Sequence, residues 1–576
     1  MSQSKLPKLR RLAQIVFLVL FFVHLFNTEF RGSLKAATGD IRLPIPYPAI
    51  FLLSDPLVAV CNALGSRALY RGLLWSLTIL LPTLFLGRFF CGWICPLGTL
   101  HHFFSHLKSE RKRGQRLIES NRYKTWQATK YYILAVLLVS SLFGVLMPGL
   151  MDPISLLIRS LTVSVLPGLN LAFNAVLDSL YRTNSGVLGF VAHALQFLLN
   201  ATLLSYKQPH FRQGFLLGVI FITLLALNLR VTRFWCRALC PLGALLGLAS
   251  RWSILGMEKC ASDCDDCRRC LLHCQGGDDP IPGVPWRKAE CHLCFNCVGD
   301  CPKTGVRFKF PDTGRAERRS ANSNANAGPN ANGRPNAVRP YETTLIGPQL
   351  QRRKVLASVA AGAALLPMFR STTAFGVEHS PRLIRPPGSL DEADFLARCI
   401  RCGECLKVCP NNALHPALTE AGIEGLWSPV LAPRVGYCEP SCTLCGQVCP
   451  TGAIWEITQA EKAWLPAASR PGAKPIRLGT AFYDQGRCLP WSMATECIVC
   501  EEWCPTSPKA IYLVTAQVVD TQGKVKQVRQ PHVDPNRCVG CGACEFACPV
   551  KDRAAVYVTS IGESRSRTHQ ILLQKA

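Results

Sequence analysis

One spacing of cysteines, written four times without change and twice with a stretched first gap, constrains this chain more than any other feature. Cys264, Cys267, Cys270 and Cys274 are separated by two, two and three residues, and Cys291, Cys294, Cys297 and Cys301 repeat that spacing. Cys399, Cys402, Cys405 and Cys409 repeat it again, as do Cys538, Cys541, Cys544 and Cys548. In Cys438, Cys442, Cys445 and Cys449 the first gap grows to three residues, and in Cys488, Cys497, Cys500 and Cys504 to eight. Lengthening only the first gap leaves the core of each loop intact. Three thiolates on one tight loop hold three corners of a 4Fe-4S cube, and the fourth cysteine turns away to reach a second cube. Thiolates in fours also hold zinc, but zinc sites rarely use eight cysteines in this doubled spacing.

The pattern is that of the bacterial ferredoxins. On it the first two runs make a two-cluster domain, with Cys264, Cys267, Cys270 and Cys301 on one cluster and Cys291, Cys294, Cys297 and Cys274 on the other. The four later runs make four more clusters, six in all. Either neighbouring runs exchange their fourth cysteines, or the first pairs with the last and the middle two together. These 24 positions leave six of the 30 cysteines: Cys61, Cys91, Cys95, Cys236, Cys240 and Cys260. Such tight runs do not suit a secreted disulfide framework. No Cys-x-x-Cys-His occurs, so covalent c-type haem is not indicated. A single His24 in the first apolar segment reads as packing or interfacial rather than as a haem ligand.

The formal charge is +27, from 64 Lys and Arg against 37 Asp and Glu. In a soluble chain this would point to nucleic acid; here the apolar stretches point to a membrane with basic cytoplasmic flanks, and no nucleic-acid partner is expected. Residues 12–27, 73–90, 131–150 and 213–229 are each near the about 17 to 25 residues that span a hydrocarbon core. They predict four transmembrane helices, with 186–206 interfacial or re-entrant. The N-terminus carries KLPKLRR and the loop 101–130 holds eight Lys and Arg, whereas 28–72 and 153–212 are sparsely basic. The N-terminus and the loop after the second helix are therefore expected in the cytoplasm.

RFFCGWICPLG, with Cys91 and Cys95, returns 145 residues later as RFWCRALCPLG, with Cys236 and Cys240. Each copy follows an apolar helix, and each helix pair has an Asp-Pro near its outer connection, Asp55-Pro56 and Asp152-Pro153. Two like helix pairs place both cysteine pairs on one membrane face. The four thiols are enough for a further metal site or a dithiol relay if the repeats meet; each pair is otherwise a turn with buried free thiols. Asp55 and Asp152 are candidate proton acceptors, with helix capping beside proline as the alternative.

Residues 312–340 are rich in Asn, Ala, Gly and Pro, and 312–350 reads as a disordered linker. Arg352-Arg353-Lys354 then opens a modest apolar run, which resembles a twin-arginine export signal. Export after folding would let clusters assemble in the cytoplasm, away from oxidising conditions. With four preceding helices, this run would carry residues 375–576 outside.

Taken together, residues 1 to about 310 resemble NapH, a four-helix membrane ferredoxin with two CxxxCP motifs. Residues from about 350 to 576 resemble NapG and its relative MauM, exported four-cluster ferredoxins. The expected architecture is multidomain: an α-helical membrane domain over 1–255, a two-cluster α+β ferredoxin domain over 256–311, the linker 312–350, an export signal or anchor over 351–374, and a four-cluster ferredoxin domain over 375–576. The resemblance implies a multi-pass protein of the bacterial inner membrane with a periplasmic C-terminal domain. Its implied activity is that of a quinol dehydrogenase, drawing on the quinone pool and passing electrons to a periplasmic c-type cytochrome or a reductase such as nitrate reductase. An electron-supplying assembly factor for a periplasmic metalloenzyme, and a redox-sensing regulator, are the alternatives.

Overall fold

The computed structural model describes residues 5–29, 43, 49–68, 70–111, 114–183, 186–202, 209–259, 264, 267–276, 286–303, 305–310, 350–374, 380–463, 476–520 and 522–565. The expected linker lies outside these residues except at position 350, as does Cys260. The chain forms two compact units, each woven from three stretches. The first takes Met1–Leu20, Ser76–Ala135 and Thr223–Val359, the second Phe21–Trp75, Val136–Ile222 and Ala360–Ala576.

Of the four expected spans, 12–27 lies in the helix Leu6–Asn27. The others are shorter: Leu77–Leu86, Thr129–Leu142 and Gly214–Ala226. Among the described residues two helical runs are long and apolar enough to cross a membrane, Leu6–Asn27 and Pro153–Arg182. The second lies where the sequence reads as an outer connection. Its continuity has a local cause: a π-helical turn over Leu161–Val165 precedes Pro167, which falls at the start of the next helix, Leu166–Arg182, where a missing N–H costs little. Gly186–Thr202 is also helical and packs back on Leu166–Arg182 through Leu177 and Ala192, with Tyr181 Oη donating to Gln196 Oε1 at 2.7 Å.

In the first unit both CxxxCP motifs have one local form. Five-residue helices Phe89–Trp93 and Phe234–Ala238 are followed by helices that begin at Pro96 and Pro241. Proline fixes the backbone for a helix's first turn, so the motif's Cys-Pro step ends one helix and starts another. Strands β1 (Gly256–Lys259) and β2 (Val306–Lys309) pair antiparallel, with Gly256 opposite Lys309. Val306 and Phe308 point inward beside Leu255, Met257, Leu293 and Val298, while Arg307 and Lys309 point out. The strand pair thus closes over the two cysteine runs that lie between its strands.

The second unit contains β3 (Leu414–Pro416), β4 (Pro429–Leu431), β5 (Thr480–Tyr483), β6 (Ile511–Val519), β7 (Val525–Val533) and β8 (Val556–Thr559). They pair antiparallel as β3 with β4, β5 with β8 and β6 with β7. Its core mixes apolar side chains such as Phe395, Leu406, Leu444 and Val556 with the cysteines themselves. The same core takes in Val163, Phe211 and Leu217 from the helical stretch before it. The twin arginine stands at the start of a 23-residue helix, Arg352–Ala374, interrupted by Pro367.

Candidate metal centres and a carboxyl pair

Each cysteine run in the second unit ends on a short helix, and the fourth cysteine faces its neighbour's loop. Cys399, Cys402 and Cys405 line a small cavity together with Cys449. Cys438, Cys442 and Cys445 line another together with Cys409. Cys538, Cys541 and Cys544 share a third with Cys504. The sulfurs of Cys500, Cys497 and Cys548 likewise surround Cys488, whose thiol burial and these neighbours push up to about 12. Fourth cysteines are therefore exchanged between neighbouring runs, first with second and third with fourth; the sequence had left this open.

These settings suit iron–sulfur ligation, in which hydrogen bonds to sulfur stabilise thiolates. Backbone N–H groups of Ala413 and Ile454 donate to the Sγ atoms of Cys409 and Cys449 at 3.3 and 3.4 Å. Those of Ala481 and Ala555 donate to Cys538 and Cys548, each at 3.4 Å. The two exchanged pairs touch, because the Cys438 N–H donates to the Cys541 carbonyl at 2.8 Å. Together the four cysteine sets form a continuous series, from that of Cys399 through those of Cys438 and Cys541 to that of Cys488.

In the first unit, Cys270 has the sulfurs of Cys301, Cys264 and Cys267 as neighbours, and burial with these sulfurs pushes its thiol up to about 11. Cys297 has those of Cys294, Cys274 and Cys291. Gly305 N–H donates to Cys301 Sγ at 3.3 Å. Cys91, Cys95, Cys236 and Cys240 are all buried in the same unit. Among the described residues no three Cys, His, Asp or Glu side chains are gathered to hold a single metal ion. His24 stands edge-on to Phe51, ring centroids 6.2 Å apart, which is a packing contact.

The second unit also brings the two Asp-Pro steps together. Asp55 caps Pro56–Ser66, its Oδ1 accepting from the N–H groups of Leu57 at 2.7 Å and Val58 at 3.3 Å. Asp152 caps Pro153–Ser160, its Oδ2 accepting from Ser155 N–H at 2.7 Å. Both are fully buried, and the oxygens left over, Asp55 Oδ2 and Asp152 Oδ1, receive no other donor. The carboxyls face one another: burial first, then the Asp152 charge and hydrogen bond, push Asp55 well above the usual carboxylate range. The capping and the proton-holding readings are thus compatible, because each carboxyl has one oxygen for each task. Cys61, which the sequence left unassigned, lies beside this pair and Ser141.

Arg159, in the last turn of the helix that Asp152 caps, links the pair to the first cysteine set. It donates to the carbonyls of Gly149 and Leu150 at 3.1 Å and of Arg401 at 2.9 Å, and lies over Trp427 at 4.7 Å. Arg401 in turn donates to the carbonyls of Leu146 and Glu424. Asp152, Cys399 and Cys402 all act electrostatically on Arg159. Nothing in the spacing of these arginines announces the arrangement, since its partners are backbone carbonyls far along the chain.

A 4Fe-4S binding domain model matches residues 68–114 and 213–254, the two stretches that contain the CxxxCP motifs. A 4Fe-4S dicluster domain model matches 398–453 and a second 4Fe-4S binding domain model 529–550. The chain is 35% identical over 181 residues to the methylamine utilization ferredoxin-type protein MauM of Methylorubrum extorquens, covering 31% of this chain and 72% of the relative. It is 31% identical over 218 residues to the ferredoxin-type protein NapG of Escherichia coli, covering 36% of this chain and 85% of the relative. It is 25% identical over 301 residues to the putative electron transport protein YccM of Escherichia coli, covering 52% and 72%. No solved structure matches it.

Proposed function

The chain belongs to the family of ferredoxin-type iron–sulfur proteins that includes MauM and NapG, and from that premise we propose that it is a membrane-bound quinol dehydrogenase module that delivers electrons to a periplasmic reductase or c-type cytochrome. The N-terminal half acts as a NapH-type membrane partner fused to the family domain. The observation that carries this reading is the adjacency, within one compact unit, of a buried carboxyl pair and the first of four cysteine sets. Quinol gives up two protons and two electrons together, so its oxidation needs a proton acceptor beside an electron acceptor.

When bound, 4Fe-4S clusters supply sites that accept one electron at a time. We assign six such clusters to the 24 motif cysteines. The chain's own residues do the rest. Asp55 and Asp152 share a proton through their uncapped oxygens, and the ionised member takes the proton leaving the quinol hydroxyl. Arg159 holds the helix carrying Asp152 against the loop of Cys399 and Cys402 by its bonds to Gly149, Leu150 and Arg401. The buried surroundings keep water from the pair, so the proton is handed on rather than exchanged at random. The positive-inside bias favours a cytoplasmic basic loop 101–130, and we read the helix that opens at Arg352 as an export signal or anchor.

The test is reduction of the clusters by a short-chain quinol in purified membranes containing the full chain. Bleaching of the visible iron–sulfur absorption by quinol supports the reading. Failure of quinol to bleach it, with dithionite still effective, overturns the reading and favours an electron supply to metalloenzyme assembly that does not draw on the quinone pool.

A further inference from the structure

The helix Leu6–Asn27 turns one polar face inward near its start. Pro7, Arg10 and Gln14, three and four residues apart, share that face; Arg10 and Gln14 are buried, whereas Leu9, Leu12 and Ile15 are exposed. A Cβ on Gly299 would stand 2.9 Å from Pro7 Cγ, and Gln14 Nε2 donates to the Gly92 carbonyl at 2.9 Å. This end of the helix is thereby seated on two loops of the first unit, the close of the second cysteine run and the first CxxxCP turn.

Arg10 lies between those contacts. Its Nη1 donates to Gln275 Oε1 and its Nη2 to Asn296 Oδ1, each at 3.3 Å. Gln275 follows Cys274 in the chain and Asn296 precedes Cys297. Asn296 Nδ2 donates in turn to the His273 carbonyl at 3.0 Å, so one side chain joins the two cysteine runs. The guanidinium fork thus reaches, through one amide each, both loops of a single cysteine set: Cys274 from the first run and Cys291, Cys294 and Cys297 from the second.

The acceptors leave the charge of Arg10 unbalanced. The side chain is fully buried, both acceptors are neutral amides, and among the described residues no carboxylate pairs with it. Arg11 and Arg233 repel it, and Cys294 as a thiolate attracts it. A guanidinium stays protonated inside a protein, and a buried charge calls for an opposite one. A cluster held by thiolates supplies that charge, and reduction adds one more negative charge to it.

We propose that Arg10 raises the reduction potential of the cluster assigned to Cys274, Cys291, Cys294 and Cys297, because its buried charge stabilises the reduced form more than the oxidised one. Arg10 touches none of the four ligands; it is a positioning residue that acts through Gln275, Asn296 and its charge. The effect is one-sided within the two-cluster domain. An electron shared by the domain is drawn toward this cluster and away from the one assigned to Cys264, Cys267, Cys270 and Cys301. The inference rests on the cluster assignment for these cysteines and not on quinol as the donor.

The full chain, purified without oxygen, is titrated with dithionite at controlled potentials and followed by paramagnetic resonance, beside Arg10→Gln and Arg10→Lys. Arg10→Gln is expected to lower the midpoint of one signal, the one that Cys297→Ser also alters. At a fixed potential its ratio of reduced to oxidised form should fall about tenfold or more, equivalent to about 59 mV for one electron. The other signals, and the iron and acid-labile sulfide contents, stay as in the unaltered chain. Arg10→Lys keeps the charge and should recover most of the shift. An unmoved midpoint in Arg10→Gln overturns the proposal, and so does an equal shift in Arg10→Lys, which would trace to packing instead of charge. Should Arg10→Gln lose iron, Arg10→Met fills the same space without a polar head and is held to the same outcomes. If Cys291→Ser/Cys294→Ser leaves the iron content unchanged, the cluster assignment fails and this inference with it.

Discussion

Asp55 and Asp152 cap two different helices and lie beside one another in a fully buried site, each with one oxygen that receives no donor. Asparagine caps helices as well as aspartate does, so Asp55→Asn and Asp152→Asn keep the caps and remove only the ionisable group. Each substitution is expected to slow quinol-driven cluster reduction by about 100-fold or more, the usual worth of a positioned proton acceptor. Dithionite reduction and thermal stability should stay near those of the unaltered chain. Because burial and Asp152 raise the Asp55 carboxyl, the pair keeps a proton where a free carboxyl would be ionised, and the quinol-driven rate should rise with pH through that raised value.

The exchange of fourth cysteines gives a spectroscopic prediction. Cys449 lines the cavity of Cys399, Cys402 and Cys405, whereas Cys409 lines that of Cys438, Cys442 and Cys445. Cys449→Ser should therefore perturb the same resonance signal as Cys399→Ser, and Cys409→Ser the same signal as Cys438→Ser. If Cys449→Ser instead tracks Cys438→Ser, each run ligates its own cluster and the exchange is wrong.

Gly149 marks where the helix before Asp152 meets the first cysteine loop. A Cβ there would stand 1.9 Å from the Ile400 carbonyl oxygen, a backbone atom that cannot swing aside. Gly149→Ala should push the loop of Cys399 and Cys402 away from Arg159 and the carboxyl pair. Quinol-driven reduction is expected to fall about 10-fold or more, since small misplacements cost rate steeply. Iron content should stay unchanged, which separates this effect from cluster loss.

Glu392 is held by Arg385 and Arg565, with Arg385 Nη2 at 2.5 Å from Oε1 and Arg565 Nη1 at 2.9 Å from Oε2. Burial alone would push its carboxyl up; the two guanidinium groups override that and hold it at about 2, from an ordinary value of 4.5. The resulting stabilisation, on the order of 3 kcal/mol, is present above about pH 4.5 and is lost as pH falls through about 2. At neutral pH Glu392→Gln should melt measurably below the unaltered chain, and the gap between the two should close on acidification. Comparing the two proteins at each pH cancels the acid lability that both share.

The cysteine sets were legible because a metal cube imposes a local spacing, and local spacing survives in sequence. Their exchange was not, because Cys449 reaches Cys399 across fifty residues and two equally spaced schemes fit. Asp55 and Asp152 each read as an Asp-Pro cap, and each is one; their pairing is a contact between two repeats that no single motif encodes. The helical run Pro153–Arg182 was missed because a Pro-Gly pair usually marks a turn, and here a π-helical turn places Pro167 at the start of a new helix. Arg88, Arg159, Arg233 and Arg401 carry no spacing signal in the sequence, because they lie inside the fold on backbone carbonyls.

Between the two CxxxCP copies, the position after the first cysteine differs in a way that a pair of identical subunits could not sustain. It is Gly92 in one copy, where the His292 carbonyl leaves no room for a side chain, and Arg237 in the other, whose Nη2 donates to the Asn121 carbonyl at 2.8 Å. A homodimer built on this motif would carry glycine on both sides or arginine on both, and would present the same face twice. Tandem duplication within one polypeptide breaks that equivalence. It leaves one side smooth enough to seat the loop of His292 and anchors the other to the loop of Asn121, so the two copies do different work.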